Sequence, residues 1–216
     1  VGTYVEQAMA TVNKELDLPA GYSVTWSGQY EYMLRAKEKL TYVVPLTLAI
    51  IVILLFLNFR RFAEVGIIMG TLPFAMIGAI WLMYLLGYNF SVAVGVGFIA
   101  LAGVAVEIGV IMLVYLNQSY EEMLQTCKEK GATPRRETLR LAVLHGAGLR
   151  VRPIMMTAAA IIGGLVPIMV STGTGSEVMG RIAAPMVGGM ISAVILALLV
   201  IPVGYYLWKC RSFSEA

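Results

Sequence analysis

Five apolar stretches, at about 41–58, 65–86, 90–116, 153–170 and 182–208, restrict the folds open to this chain more than any other feature. Each is roughly 18 to 27 residues long. A helix rising 1.5 Å per residue needs about 20 residues to cross a hydrocarbon core about 30 Å thick. All five stretches therefore read as membrane-spanning helices. Pro45, Pro73, Pro167, Pro185 and Pro202 lie within them, and membrane helices tolerate such residues because neighbouring groups satisfy the backbone that proline frees. Composition agrees. Of 216 residues, 59% are hydrophobic and 13% charged, where a soluble domain carries about 25% charged residues.

The links between spans carry charge in alternation. NFRRFAE, between the first two spans, holds Arg60 and Arg61. GYN holds no charge, and residues 117–152 hold Lys128, Lys130, Arg135, Arg136, Arg140, Arg150 and Arg152. STGTGSE has no basic residue, and the tail carries Lys209 and Arg211. Basic links stay in the cytoplasm, so every link predicts the same topology, with residues 1–40 outside and the C-terminus inside. Cys127 and Cys210 then face the reducing side, and their spacing is neither a metal nor a disulfide pattern. A net charge of +3 with no basic cluster beyond these links gives no reason to expect nucleic acid. No nucleophile–base pair, HExxH or phosphate loop points to enzymatic chemistry, and the single histidine, His145, reads as an interfacial polar residue.

The ends and the long link differ from the spans. TYVEQAMATVNKEL has Val5, Met9, Val12 and Leu16 on one helical stripe, PAGY is a turn, and YSVTWSG alternates as a strand does. One helix and one strand cannot bury a core, so residues 1–39 are expected to be the end of an α/β extracytoplasmic domain. The chain opens on Val1 without an initiator methionine, which also leads us to expect a portion of a longer protein. Residues 40–208 form the transmembrane bundle, 117–152 its cytoplasmic loop, and 209–216 a cytoplasmic tail. Within the loop, ETLRLAVLHGAGLR has the faces of a helix lying on the inner membrane surface, or of an ordinary connector.

Glu107 is the anomaly in this pattern. It stands in GVAVEIGVIML, deep in the third span, where a charge costs on the order of 2.5–3.5 kcal/mol on insertion scales. Val96, Ala100, Gly103 and Glu107 share one face at helical spacing, and small residues there allow another helix to pack closely around the acid. Two readings follow: a hydrogen-bonded structural carboxyl, or a proton carrier that loads on one side and unloads on the other. No other span offers an acid or base at mid-depth, since Arg152, Glu177 and Arg181 lie at span ends, where the last two are spaced to pair.

GFIALAGVAVEIGVIMLVYL, LHGAGLRVRP and GTGSEVMGRIAAPMVGGM closely resemble the C-terminal half of the resistance-nodulation-division (RND) exporters, and within them the copper(I)/silver(I) pumps of the heavy-metal branch. DLPAGYSVTWSGQYEYM resembles the end of that family's second large periplasmic region. The resemblance implies a proton-driven antiporter of the bacterial inner membrane with twelve helices, of which this chain would hold the last five. It implies a homotrimer joined to a periplasmic adaptor and an outer-membrane channel, surrounded by lipid and using no cofactor. Its cargo would be Cu(I) or Ag(I). Glu107 matches the glutamate of the family's proton path, where divalent-metal relatives have a neutral pair and drug exporters a lysine. One departure stands in RVRPIMMT: the copper and silver pumps have a lysine where Ile154 lies. Drug exporters share the RPI pattern and use a threonine one turn on, and Thr157 holds that place; otherwise its hydroxyl bonds back to its own helix.

Thirteen methionines bear on the cargo. Thioether sulfur is a soft neutral ligand suited to Cu(I), yet methionine also fills irregular apolar space. Met179, Met186 and Met190 share one face, and Met69, Met76 and Met83 repeat at seven. By the resemblance, Met179 matches the methionine of the family's GSEVM motif, a ligand on its sulfur path. Two alternatives remain open at this stage: a non-transporting truncated remnant, and a pump for divalent metals or organic compounds.

Overall fold

An apolar run in lipid has to satisfy its backbone within itself, and here each one closes its own N–H to C=O ladder as a helix. The computed structural model describes residues 2–15, 23–130 and 136–214. They form α1 (Gly2–Glu15), α2 (Gln29–Phe59), α3 (Phe62–Leu85), α4 (Val92–Glu129), α5 (Arg136–Val170) and α6 (Ser176–Ser214). The last five are long and apolar enough to cross a membrane.

Two expectations need correction. No strand occurs among the described residues: Ser23–Trp26 of YSVTWSG have no ladder, and Leu16 and the whole of PAGY, Tyr22 included, lie outside the described residues. A strand requires a partner to receive its hydrogen bonds, so the described part is all helix rather than α/β. Residues 117–152 are also not a loop. α4 runs on to Glu129, and α5 begins at Arg136 and continues through Pro153 into its apolar part. ETLRLAVLHGAGLR is thus the beginning of α5 and not a separate surface helix. Its apolar stripe of Leu139, Val143 and Gly146 is buried. A Cβ on Gly146 would lie 2.8 Å from Ser119 Oγ and 3.0 Å from the Tyr115 carbonyl. The stripe that reads as lipid-facing is turned toward the long α4.

The chain divides into two compact units, Val1–Ile51 and Val52–Ala216. In the first, α1 starts beside α2, where a Cβ on Gly2 would lie 3.3 Å from Met33 Cε. Arg35 pairs with Glu31 one turn away. Thr41 and Thr47 donate to the carbonyls of Lys37 and Val43, which hides their hydroxyls within the helix.

In the second unit α6 is the central helix, with α3, α4 and α5 packed against it. Small residues set those approaches. Gly78 of α3 and Gly188 of α6 meet backbone to backbone: a Cβ on Gly188 would lie 2.5 Å from the Gly78 carbonyl oxygen. Beside them Ser192 Oγ donates to the Ala75 carbonyl at 2.9 Å, tying α6 to α3. α4 lies against α6 at Gly97, where a Cβ would come 2.5 Å from both the Ile182 carbonyl oxygen and Pro185 Cγ. Where water cannot drive association, such close approach and interhelical hydrogen bonds do so. Ile68, Ala79, Met112, Leu116, Met190 and Ile201 fill the interior, while Phe74, Ile80, Trp81, Ile195, Leu199 and Val203 are exposed. That outward apolar surface suits hydrocarbon.

The uncharged links turn on glycine. Gly87 closes α3 at φ +67°, with Leu86 N–H donating to Leu82 O and Tyr88 N–H to Met83 O, the left-handed stop that glycine takes most easily. Gly175, at φ +91°, leads into α6.

Candidate functional site

Glu107 sits on the surface of α4 that α6 does not cover. Val96, Gly103 and Glu107 are exposed and Ala100 is half-buried, while Leu101, Ala105, Ile108 and Met112 on the other side are buried. A Cβ on Gly103 would meet nothing within 4 Å. The glycine that brings another helix against α4 is Gly97, so Ala100 and Gly103 form an open, shallow face around the acid.

Thr157 is exposed on α5, and its Oγ1 donates to the Pro153 carbonyl at 2.8 Å, one turn back. Ile154, in the position of the family lysine, is buried. Met179 is exposed in the first turn of α6, where its N–H donates to the Gly175 carbonyl. Of the other methionines, Met190 and Met83 are buried and Met69, Met76 and Met186 half-buried, so they pack the bundle. No hydrogen bond joins Glu107, Thr157 and Met179 to one another among the described residues. The expected pairing of Glu177 with Arg181 is not formed; the Arg181 guanidinium instead lies 6.0 Å from the Tyr88 ring centroid. His145 is exposed.

The structure assembles a second polar group that the sequence reading passes over. Tyr205 of α6 is fully buried, and its hydroxyl donates to Asn117 Oδ1 of α4 at 2.6 Å. Asn117 Nδ2 donates in turn to Glu64 Oε2 of α3 at 3.0 Å. Glu64 is only 3% exposed and Lys209 5%. The Lys209 ammonium rests 4.2 Å from the Tyr120 ring centroid and 4.6 Å from that of Trp208, with Tyr205 at 5.5 Å. Aromatic faces attract a cation in this way, more strongly once water is removed. A cavity of about 420 Å³ opens beside the group, lined among others by Asn58, Arg61, Glu64, Asn117, Glu121 and Lys209. In the sequence, Glu64 reads only as part of a charged link, and Asn117 and Lys209 as span ends. The available signal was the i, i+4 pair Tyr205–Lys209 beside Trp208, which sets an aromatic cluster under a lysine.

This group also marks one end of the bundle. Arg61 of the α2–α3 link, Glu121 of α4 and Lys209 of α6 line one cavity. At the other end the two uncharged links come together, for a Cβ on Gly180 would lie 3.6 Å from the Tyr88 hydroxyl and 4.0 Å from Met169 of α5. Glu64 and Met179 therefore stand at opposite ends.

Comparison with known proteins agrees with this architecture. The family model described as the AcrB/AcrD/AcrF family matches residues 1–209. The chain is 50% identical to the protein SilA of Salmonella typhimurium over 98% of its own length and 20% of that relative. It is 49% identical to the cation efflux system protein CusA of Escherichia coli K12 over 96% of its length and 20% of that protein. A crystal structure of a heavy metal efflux pump superposes with a TM-score of 0.75 at 36% identity, covering 98% of this chain and 20% of that one. The chain thus spans about one fifth of the length of the relatives it matches.

Proposed function

The chain belongs to the AcrB/AcrD/AcrF family, the RND transporters, and from that membership we propose that it is the last membrane portion of a proton-driven exporter of Cu(I) or Ag(I). The pump would sit in the bacterial inner membrane, with the basic links in the cytoplasm and residues 1–39 in the periplasm. It would work as a trimer with a periplasmic adaptor and an outer-membrane channel. The observation that carries this reading is Glu107: an acid on the open, small-residue face of a helix whose other side is packed. An ionisable group deep in a span is retained for function by default. Here it is presented to whatever packs on that face, which in the full pump would be the helices of the first half.

In this reading Glu107 takes a proton from one side and releases it to the other. Thr157, held by the Pro153 carbonyl, passes it along α5 by exchanging that hydrogen bond. Met179 offers a thioether to the metal at the outer end. Thioether cannot be titrated away, so metal and proton use separate ligands.

A second reading has one specific feature in its favour. Ile154 is packed in the core at the place of the family lysine, which points to a drug-exporter style of relay and to a divalent or organic cargo. A single experiment addresses both readings. The full-length pump, wild type or Glu107→Gln, is expressed in a strain lacking its own exporters and challenged with silver, zinc and a cationic dye. We expect protection against silver alone, and its loss in Glu107→Gln at unchanged expression. Full silver resistance in that variant refutes the proton role, and protection against zinc or dye selects the second reading.

A further inference from the structure

We propose that Glu64 is a second proton-binding carboxyl of this chain, at the end opposite Met179, and that α3, α4 and α6 sense its state through Asn117 and Tyr205. Three observations carry this. Glu64 is almost wholly enclosed, and among the described residues the only ion pair is that of Arg35 with Glu31. What Glu64 receives is a hydrogen bond from a neutral amide. Two cations, Arg61 and Lys209, line the cavity beside it, and neither makes a contact ion pair with the carboxylate; the Lys209 ammonium packs on aromatic rings and acts on Glu64 only through space. A buried ionised group is held by what surrounds it, and this one is held by an amide hydrogen bond and by cations across a cavity, without a contact ion pair.

Protons can also reach it. The cavity beside Glu64 holds about 420 Å³, ample against the roughly 30 Å³ that one water occupies in the liquid. The titratable and charged groups around it come from every element that lines it: Arg61 from the α2–α3 link, Tyr120 and Glu121 from α4, and Lys209 with the adjacent Tyr205 from α6. No residue of α5 lines it. Formally, Arg61 and Lys209 balance Glu64 and Glu121, so one proton on Glu64 leaves the cavity with a net positive charge.

The direction of the hydrogen bonds supplies the readout. Tyr205 donates to Asn117, and Asn117 donates to Glu64, so the carboxyl is the terminal acceptor of a chain crossing three helices. Charge-assisted hydrogen bonds are about twice as strong as neutral ones. Adding a proton to Glu64 weakens the Asn117 contact and supplies a new O–H donor toward the cavity; removing it tightens α3 on α4 and α6. Proton gain and loss thus bear directly on how three helices hold together.

The role in transport rests on the proton-driven reading above, but the titration does not. The test uses full-length pump in membranes. Infrared difference spectra across pH are expected to show the protonated-carboxyl stretch of Glu64 growing as pH falls. That band should be missing in Glu64→Gln and present in Glu107→Gln. Glutamine keeps an oxygen to accept from Asn117, so Glu64→Gln should fold normally, while its metal flux loses part of its pH dependence; Glu64→Ala removes the acceptor as well. A carboxyl spectrum unchanged by Glu64→Gln overturns the proposal. So does a wild-type pH profile in Glu64→Gln together with impairment confined to Glu64→Ala, the pattern of a purely structural tie. If the pump is not proton-driven, Glu107→Gln leaves flux intact, and the infrared comparison still decides the assignment of Glu64.

Discussion

At Gly188 the whole approach of α3 to α6 depends on a missing methyl group. A side chain there would come 2.6 Å from Leu82 Cβ and 2.5 Å from the Gly78 carbonyl oxygen, distances that no rotamer relieves because the second atom is backbone. Gly188→Val must push the helices apart, at a cost of roughly 1–3 kcal/mol as for other overpacked sites, and the Ser192–Ala75 hydrogen bond beside it is lost as well. Ser192→Ala removes that bond, with the one the same hydroxyl shares with the Gly189 carbonyl of its own helix, and leaves the packing in place; interhelical hydrogen bonds in membranes average about 0.6 kcal/mol. Unfolding the full-length protein in mixed micelles should rank wild type, Ser192→Ala and Gly188→Val in that order of falling stability. Equal stability of Gly188→Val and wild type would contradict the close crossing. Residues differ in how far the sequence reveals them. Glu107 is visible because a charge amid apolar neighbours breaks a pattern, whereas Glu64 sits next to Arg60 and Arg61, and only tertiary packing separates it from an ordinary link. Gly188 and Gly189 resemble any small pair until the partner helix is placed on them.

Among the elements, the apolar runs were legible because length and hydropathy suffice for a span, and their ends were not. α4 and α5 keep winding beyond the apolar part, where the composition turns charged. What holds those extensions is contact between them: Gly146 admits Ser119, Leu139 and Val143 are buried, and Arg150 lies 3.8 Å from the Tyr115 ring centroid. Periodicity shows that ETLRLAVLHGAGLR has an apolar stripe but not whether lipid or a helix covers it. The expected strand fails for a related reason, since alternation in a short stretch has meaning only beside a partner strand. Hydrogen exchange separates the two accounts of the extensions. Amides over 119–128 and 139–150 should be protected to a degree close to that of the apolar part of α4, because they belong to one packed helix pair. A surface helix joined by a loop would exchange far faster there, and that result would contradict the continuous helices.

For the molecule as a whole, the two ends of the bundle differ in charge, and the orientation proposed above follows from that difference. Arg60 and Arg61, the end of α4 with Lys128 and Lys130, the start of α5 with Arg136 and Arg140, and the end of α6 with Lys209 and Arg211 belong to one set of helix ends. Contacts around the cavity confirm that the α2–α3 link, α4 and α6 meet there. The opposite end has Arg181 and Glu177 beside links without lysine or arginine. Under the proposed function, retention of basic links on the cytoplasmic side would put the Glu64 cavity against the cytoplasm and Met179 toward the periplasm, the direction in which an exporter would deliver its cargo. Every cysteine of the full-length pump is replaced by serine, Cys127 and Cys210 on the α-helical extensions of the basic end included, and a single cysteine is introduced as Thr174→Cys or Lys130→Cys. A membrane-impermeant maleimide added to intact spheroplasts should label Thr174→Cys at once and Lys130→Cys only after permeabilisation. The reverse pattern would invert the bundle, put Glu64 on the periplasmic side and make Met179 a ligand for entry rather than exit. The order of labelling therefore decides the polarity of transport assigned to every residue discussed above.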